Sequence, residues 1–274
     1  MAAILATHDR GTIGCHMFDV GAHIGYFGLM AASLGCSVTA VEPNPLHGAL
    51  IRVAADTGDI GHRVKVIRRV VTNVSATHIA FDGFRIVEKD SAPVAGAAGM
   101  GDGAPTISLS ELLLQQGSVL FMKVDVEGHE ESMLRSASAA ELTHVGHIYI
   151  EVTTHSSGAA GVPSLLESSL QTVAYLRKAG FVLYTNMWMF SDDGQKSLPP
   201  VARAVYPGDN LWSILWRVPE DDSQFNFAEA LNRFAAQVGC VENHGICQID
   251  IWAVQVRSWI PRNDAKLRLI YSLL

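Results

Sequence analysis

Short apolar runs alternate along the chain with longer stretches whose apolar residues recur at helical spacing. The runs predict strands at about Ile13 to Val20, over "SVTAVEP" ending at Glu42, over "RVKVIRRVV", over "SVLFMKVDV" and over "HIYIEV". Between them, "YFGLMAASLG", "PLHGALIRVAADTG", "SLSELLLQQG", about Glu130 to Ala140, and "PSLLESSLQTVAYLRKAG" predict helices. The punctuation agrees. Gly35, Gly58 and Gly180 stand where helices stop, Pro45 stands near a start, and Ser108 precedes Glu111 at capping-box spacing. This alternation predicts an α/β fold, a parallel sheet with helices on both faces.

The rhythm breaks twice. "HIAFDGFRIVE" predicts two short strands around the turn at Asp82-Gly83, and the Gly/Ala-rich "SAPVAGAAGMGDGAP" after it predicts a loop over residues 91–105. Late in the chain, "FVLYTNMWMF" and "NLWSILWRV" follow one another without a helical pattern, which suits an antiparallel pair at a sheet edge. Residues 1–218 are expected to form the main domain. Residues 219–274 are expected to be a C-terminal extension of unassigned role: a helix ("FNFAEALNRFAAQV"), a loop with two cysteines and a mixed tail.

Composition narrows the class. Of 274 residues, 49% are hydrophobic and 17% charged, which suits a packed globular core. The formal charge of -7 and the scatter of the basic residues, apart from a run near Lys65, Arg68 and Arg69, argue against nucleic acid as a partner. No uninterrupted apolar stretch reaches the ~18 residues that span a bilayer. "MAAILATHDR" is too short and too soon polar for a secretory signal, so a cytoplasmic location is the default and the compartment stays open. Cys15 and Cys36 lie in or beside strands and read as buried thiols. Cys240 and Cys247 flank a loop and read as reduced, with pairing open in an oxidising compartment. No spacing points to a metal site, and oligomeric state is not legible.

Candidate chemistry concentrates at "FDVGAHIGYFG", where a strand ends at Asp19 and runs into glycines and a helix. In open α/β sheets, ligands sit beyond the carboxyl ends of strands, and Asp19, Glu42 and Asp125 all fall at such ends. An acid ending the second strand can accept both hydroxyls of a ribose. A dinucleotide wants G-x-G-x-x-G with its pyrophosphate on the helix N-terminus. Here Gly21 and Gly25 enclose Ala22, His23 and Ile24, and the Asp19 carboxylate would oppose a pyrophosphate. S-adenosyl-L-methionine carries a sulfonium, an ammonium and a neutral ribose, so charge complementarity favours it. Each feature also has an ordinary structural explanation: a turn, a helix cap, a surface acid. It is their joint order and spacing that point to the methyl donor.

These residues resemble the FkbM family of class I S-adenosylmethionine-dependent methyltransferases. The resemblance rests on "FDVGAHIGYFG", "AVEPNP", "ISLSELL", and above all on "LFMKVDVEGHE" followed by "IYIEV", and it covers about Met17 to Val218. It implies a Rossmann-like, seven-stranded, mostly parallel sheet with an antiparallel last strand. It also implies that Asp19, Gly21 and Gly25, with Ala22 and His23 between them, hold the methionine end of the cofactor. Glu42, with Pro43 beside it, would bind the ribose hydroxyls, and Val70 and Val71 would lie near the adenine. The implied activity is O-methylation of a small-molecule or glycan acceptor: a hydroxyl on a sugar, glycan or secondary metabolite. Two departures stand out. Ser110 occupies a position where the family often has Asp, and little chain precedes the first strand, where many such enzymes carry a segment that helps cover the site.

Methyl transfer needs an aligned acceptor, and a hydroxyl acceptor must lose a proton. In the extended fourth strand, Lys123, Asp125 and Glu127 alternate with Val124 and Val126 and so share a face. Lys123 can pair with either acid, Asp125 is the first candidate to touch cofactor or acceptor, and Glu127 and His129 are further catalytic candidates. Glu151 and the loop residue His155 are candidates for the acceptor pocket. Competing readings are a non-catalytic scaffold that kept the fold, and a dinucleotide-dependent oxidoreductase. The intact glycines and Glu42 argue against the first; the missing middle glycine and Asp19 argue against the second.

Overall fold

The computed structural model describes residues 14–73, 78–81, 86–87, 103–155, 165–185, 216–217 and 247–255. The chain divides into two compact units, Met1–Val145 and Gly146–Leu274. In the first, the described elements are β1 (His16–Val20), α1 (Tyr26–Ser33), β2 (Ser37–Val41), α2 (Pro45–Thr57), β3 (Val64–Ile67), β4 (Val70–Val71), β5 (His78–Phe81), β6 (Ile86–Val87), β7 (Ala104–Ile107), α3 (Leu109–Gln116), β8 (Val119–Val124), α4 (Glu130–Arg135) and α5 (Ala139–Leu142).

The first unit is built on four parallel strands in the order β8-β1-β2-β3. Phe18 stands opposite Thr39 on one side and Met122 on the other. Every residue of β1 and β8 is buried, as expected where helices cover both faces of a parallel sheet. Asn44 caps α2 by accepting the Leu46 N–H at 2.9 Å, ahead of Pro45 in the first turn. The Ser108–Glu111 capping box starts α3 as expected.

Several boundaries differ from expectation. "RVKVIRRVV" is not one strand: β3 stops at Ile67, and Val70–Val71 pairs instead with β7, in a small sheet ordered β4-β7-β5-β6. Arg68 and Arg69 make the break, their guanidinium groups donating to the carbonyls of Pro43 and Thr106. The hairpin expected around Asp82-Gly83 is present as β5 antiparallel to β6, though its turn lies outside the described residues. Residues 91–102 also lie outside them, while Ala104–Ile107 is a strand rather than loop. The helix expected to Ala140 ends at Arg135, because Ser138 opens a second capping box with Glu141. Cys15 and Cys36 are not free thiols. The parallel register that sets His16 opposite Ser37 brings them together, with Cα atoms 4.7 Å apart, in a disulfide.

The second unit contains β9 (Val145–His155), α6 (Leu165–Lys178), β10 (Val182–Thr185), β11 (Trp216–Arg217) and β12 (Cys247–Val254). β10 and β11 form the late antiparallel pair that was expected. Part of the segment expected as an extension after residue 218 forms a strand. β12 lies between β9 and β10, antiparallel to both, with Ile251 opposite Ile150 and Ala253 opposite Leu183. Ile249, Ile251 and Ala253 are buried at period two, and Trp252 stacks on His147 with ring centroids 5.8 Å apart. The helix expected over "FNFAEALNRFAAQV" and Cys240 lie outside the described residues. β9 runs on through Glu151 to His155, so neither residue sits at a strand-ending loop as expected.

The fold is Rossmann-like α/β. β1, β2, β3 and β8 in the first unit with β9, β10 and β12 in the second make seven strands, the last of them antiparallel, and the two-residue β11 adds to β10. No described helix is long and apolar enough to cross a membrane.

Candidate functional site

The turn after β1 is shaped by close backbone packing. Gly21 has φ of 72°, and a Cβ there would collide with the Asp125 carbonyl oxygen. Its N–H donates to the Val41 carbonyl at 3.0 Å, so the turn is pinned to the end of β2. Gly25 has φ of 85°, and a Cβ there would press into Ile51 of α2 at 2.8 Å. These two glycines are required by packing as well as by any ligand. Between them, His23 is held at φ of 49°, a left-handed conformation uncommon for a residue with a side chain.

Glu42 follows the last residue of β2 and is buried. Its Oε2 accepts the His23 N–H at 2.8 Å and its Oε1 accepts the Asn44 N–H at 2.8 Å. Each carboxylate oxygen therefore has one fixed donor and retains acceptor capacity. His47, in the first turn of α2, brings Nδ1 to 3.6 Å from Glu42 Oε1.

β8 supplies the second half of the site. Lys123 is buried, and its ammonium donates to the Gly21 carbonyl at 2.7 Å and to Asp125 Oδ2 at 3.1 Å. It also lies 3.9 Å from Asp19 Oδ1 and over the Phe27 ring. Asp19 is fully buried. Its Oδ2 accepts the Gly28 N–H at 2.8 Å, while Oδ1 takes no hydrogen bond among the described residues. Burial pushes the Asp19 carboxyl up; the Lys123 ammonium and the Gly28 N–H pull against that. Beyond Asp125 the chain turns sharply through Glu127 at φ of 54° and Gly128 at φ of 95°. A positive φ at Glu127 costs of order 1–3 kcal/mol, and such strain concentrates at functional sites.

Glu130 closes this turn. It is buried, its Oε1 accepts the Gly128 N–H at 2.9 Å, and burial pushes its carboxyl up from 4.5 to about 7. Between those values the unfolded chain loses a proton that the folded chain keeps. Stability therefore falls as pH rises from 4.5 to about 7 and stays lowered above. The full difference is about 3 kcal/mol. Glu130→Gln removes this titration, so its stability relative to the parent should rise across that window in urea unfolding. A difference that stays flat from about pH 5 to 8 would contradict the assignment. His16, buried against Thr39 and lowered to about 4, slopes the opposite way, so the variant–parent difference is the quantity to read.

A cleft of about 210 Å³ opens at the carboxyl ends of these strands. Of the residues expected to hold a cofactor, Gly21, His23, Glu42, Pro43, Val70 and Val71 line it. Of those expected to act in catalysis, Asp125 and Glu127 line it. Asp19, Ala22, Gly25, Lys123 and His129 lie outside the wall. Asp19 and Lys123 sit beneath the turn as its supports, and Ala22 packs in the core with Ala40 and Ile51. His129 stands at the start of α4 and donates its N–H to Val126. Ser110 is likewise away from the cleft, its hydroxyl bonded to Glu141. Sequence reasoning missed His47 and Arg69, both on the wall. For His47 the available signal was its place one turn into the helix that follows Glu42. Arg69 was noted only as part of a basic run. No cluster of three or more metal-binding side chains occurs among the described residues.

A sequence profile described as the methyltransferase FkbM domain matches residues 19–183. No curated protein matches the chain. Among solved structures, the chain is similar to a precorrin-6y C5,15-methyltransferase from Geobacter metallireducens, at 12% identity over 92% of this chain and 87% of that one, with a TM-score of 0.39. It is also similar to a human methyltransferase 10 domain containing protein, at 13% identity over 67% of this chain and 71% of that one, with a TM-score of 0.39. The profile match spans more than half of the chain and takes in the Gly21 turn, Glu42 and the run from Lys123 to Glu130, so this chain belongs to the FkbM methyltransferase family.

Proposed function

We propose that the chain is an S-adenosyl-L-methionine-dependent O-methyltransferase acting on a hydroxyl of a sugar, glycan or secondary metabolite. The observation that carries the cofactor reading is the charge of the cleft. Glu42, Asp125 and Glu127 all line it around the Gly21 turn. Three carboxylates suit a ligand with a sulfonium and an ammonium, and oppose a pyrophosphate. Gly21 also lines the cleft, where the Asp125 carbonyl oxygen leaves no room for a Cβ.

In this reading Glu42 holds the ribose hydroxyls on the acceptor capacity its two N–H donors leave. Val70 and Val71 give the adenine an apolar wall. When bound, S-adenosyl-L-methionine supplies a methyl group on a cationic sulfur. Lys123 fixes Asp125 through Oδ2, and Asp125 Oδ1 is the atom that accepts the proton of the acceptor hydroxyl. His129, off the wall, receives no proton in this scheme. Asp19 acts indirectly, by anchoring α1 through Gly28 and by facing Lys123.

The test is a screen of hydroxylated acceptors for release of S-adenosylhomocysteine, followed by Asp125→Asn on whichever acceptor reacts. Turnover in Asp125→Asn is expected to fall about 100-fold or more, the scale of a lost general base. S-adenosylhomocysteine affinity should change far less. Full turnover in the variant would remove the proposed role.

A further inference from the structure

An ammonium has three N–H donors, and that of Lys123 has two fixed acceptors. One N–H goes to the Gly21 carbonyl at 2.7 Å and one to Asp125 Oδ2 at 3.1 Å. The third makes no hydrogen bond among the described residues. Facing it is Asp19 Oδ1, 3.9 Å away. That is beyond hydrogen-bond range, and Oδ1 has no other partner among the described residues. Both groups are shut off from water, with the Lys123 and Asp19 side chains 5% and 1% exposed. Buried polar atoms are nearly always paired, so a free donor facing a free acceptor calls for a reason. Asp19 is held in place, because its Oδ2 accepts the Gly28 N–H at 2.8 Å. Asp125 differs: it lines the cleft, and its side chain is 30% exposed.

From this arrangement we infer that Lys123 is a cation with two seats, and that Asp19 is the positioning residue that receives it when Asp125 is neutralised. The inference rests on the reading of Asp125 as the base. In that step the acceptor O–H bond breaks and its proton bonds to Asp125 Oδ1. The oxygen's electron pair goes to the methyl carbon, and the sulfur keeps the pair of its broken bond. Asp125 thereby changes from an anion to a neutral acid. A hydrogen bond to a charged acceptor is about twice as strong as one to a neutral acceptor, so Asp19 Oδ1 becomes the better partner. A movement of about 1 Å closes the 3.9 Å gap to hydrogen-bond length. Pivoting on the Gly21 carbonyl keeps the first hydrogen bond while the second is exchanged. The buried ammonium is then never left without a carboxylate, so proton uptake by Asp125 costs less.

Asp125→Asn fixes the neutral form of that side chain, so crystal structures of the parent and this variant test the handover without an acceptor. In the variant, Lys123 Nζ is expected about 2.8 Å from Asp19 Oδ1, against 3.9 Å in the parent. The same separation in both would overturn the inference. Urea unfolding gives a second reading, from Asp19→Asn placed in the parent and in Asp125→Asn. The urea midpoint should fall further in Asp125→Asn, where Asp19 is the charged partner on which Lys123 depends. An Asp19 that only anchors α1 through Gly28 would lower both midpoints equally, and that result would also overturn the inference. Full turnover in Asp125→Asn would instead overturn the base reading on which it rests.

Discussion

In urea unfolding, Lys123→Ala is expected to lose about 3–5 kcal/mol of stability, the cost of leaving a buried charge without its partner. Lys123 is the cation between Asp19 and Asp125, and it also ties β8 to the Gly21 carbonyl. Without it the fully buried Asp19 keeps only the Gly28 N–H. The carboxyl, already raised by burial, would then titrate higher still. The loss relative to the parent therefore grows as pH rises from the parent's raised value to the variant's higher one and stays constant above it, where the variant holds an unpaired charge. Adding Asp19→Asn removes the charge and should recover part of the loss, which a double-mutant comparison would reveal. Unchanged stability in Lys123→Ala, or no recovery in the double variant, would contradict this account of the support beneath the turn.

The second large effect is on binding. Glu42→Ala should weaken S-adenosylhomocysteine about 100-fold or more, since it removes a charged acceptor from two hydroxyls at roughly 1.5 kcal/mol or more each. The variant also frees the His23 and Asn44 N–H groups, which loosens the turn that carries Gly21. Glu42→Gln, which keeps one carbonyl acceptor, should fall between parent and Ala. Parent-like affinity in Glu42→Ala would place the ribose elsewhere.

Much of the site was legible because it is written in short local signals. A strand that carries an acid and enters glycines can be read from "FDVGAHIGYFG" alone, as can an acid followed by Pro43; Gly21, Glu42 and Pro43 line the cleft, while Asp19 is buried beneath it. The Ser108 capping box is equally local. What escaped depends on register between distant segments. Period two over "SVLFMKVDVE" places Lys123, Asp125 and Glu127 on one face, but β8 stops at Val124 and the chain turns at Glu127, so Lys123 lies beneath the turn while Asp125 and Glu127 reach the cleft. The Cys15–Cys36 bond follows from the pairing of β1 with β2, not from any cysteine spacing. "RVKVIRRVV" has continuous β character, and only the pairing of Val70 with Thr106 in another sheet divides it. β12 is different: its buried Ile249, Ile251 and Ala253 alternate plainly, and the pattern was available.

Whether the acidic cleft beside Gly21 takes the methyl donor is tested by isothermal titration of the purified protein with S-adenosylhomocysteine and, in parallel, with NAD. Micromolar binding of S-adenosylhomocysteine, about 8 kcal/mol, and none of NAD is expected. Binding of NAD alone would contradict it and turn the cleft into a dinucleotide site. Binding of neither would contradict it as well and leave a scaffold that kept the fold.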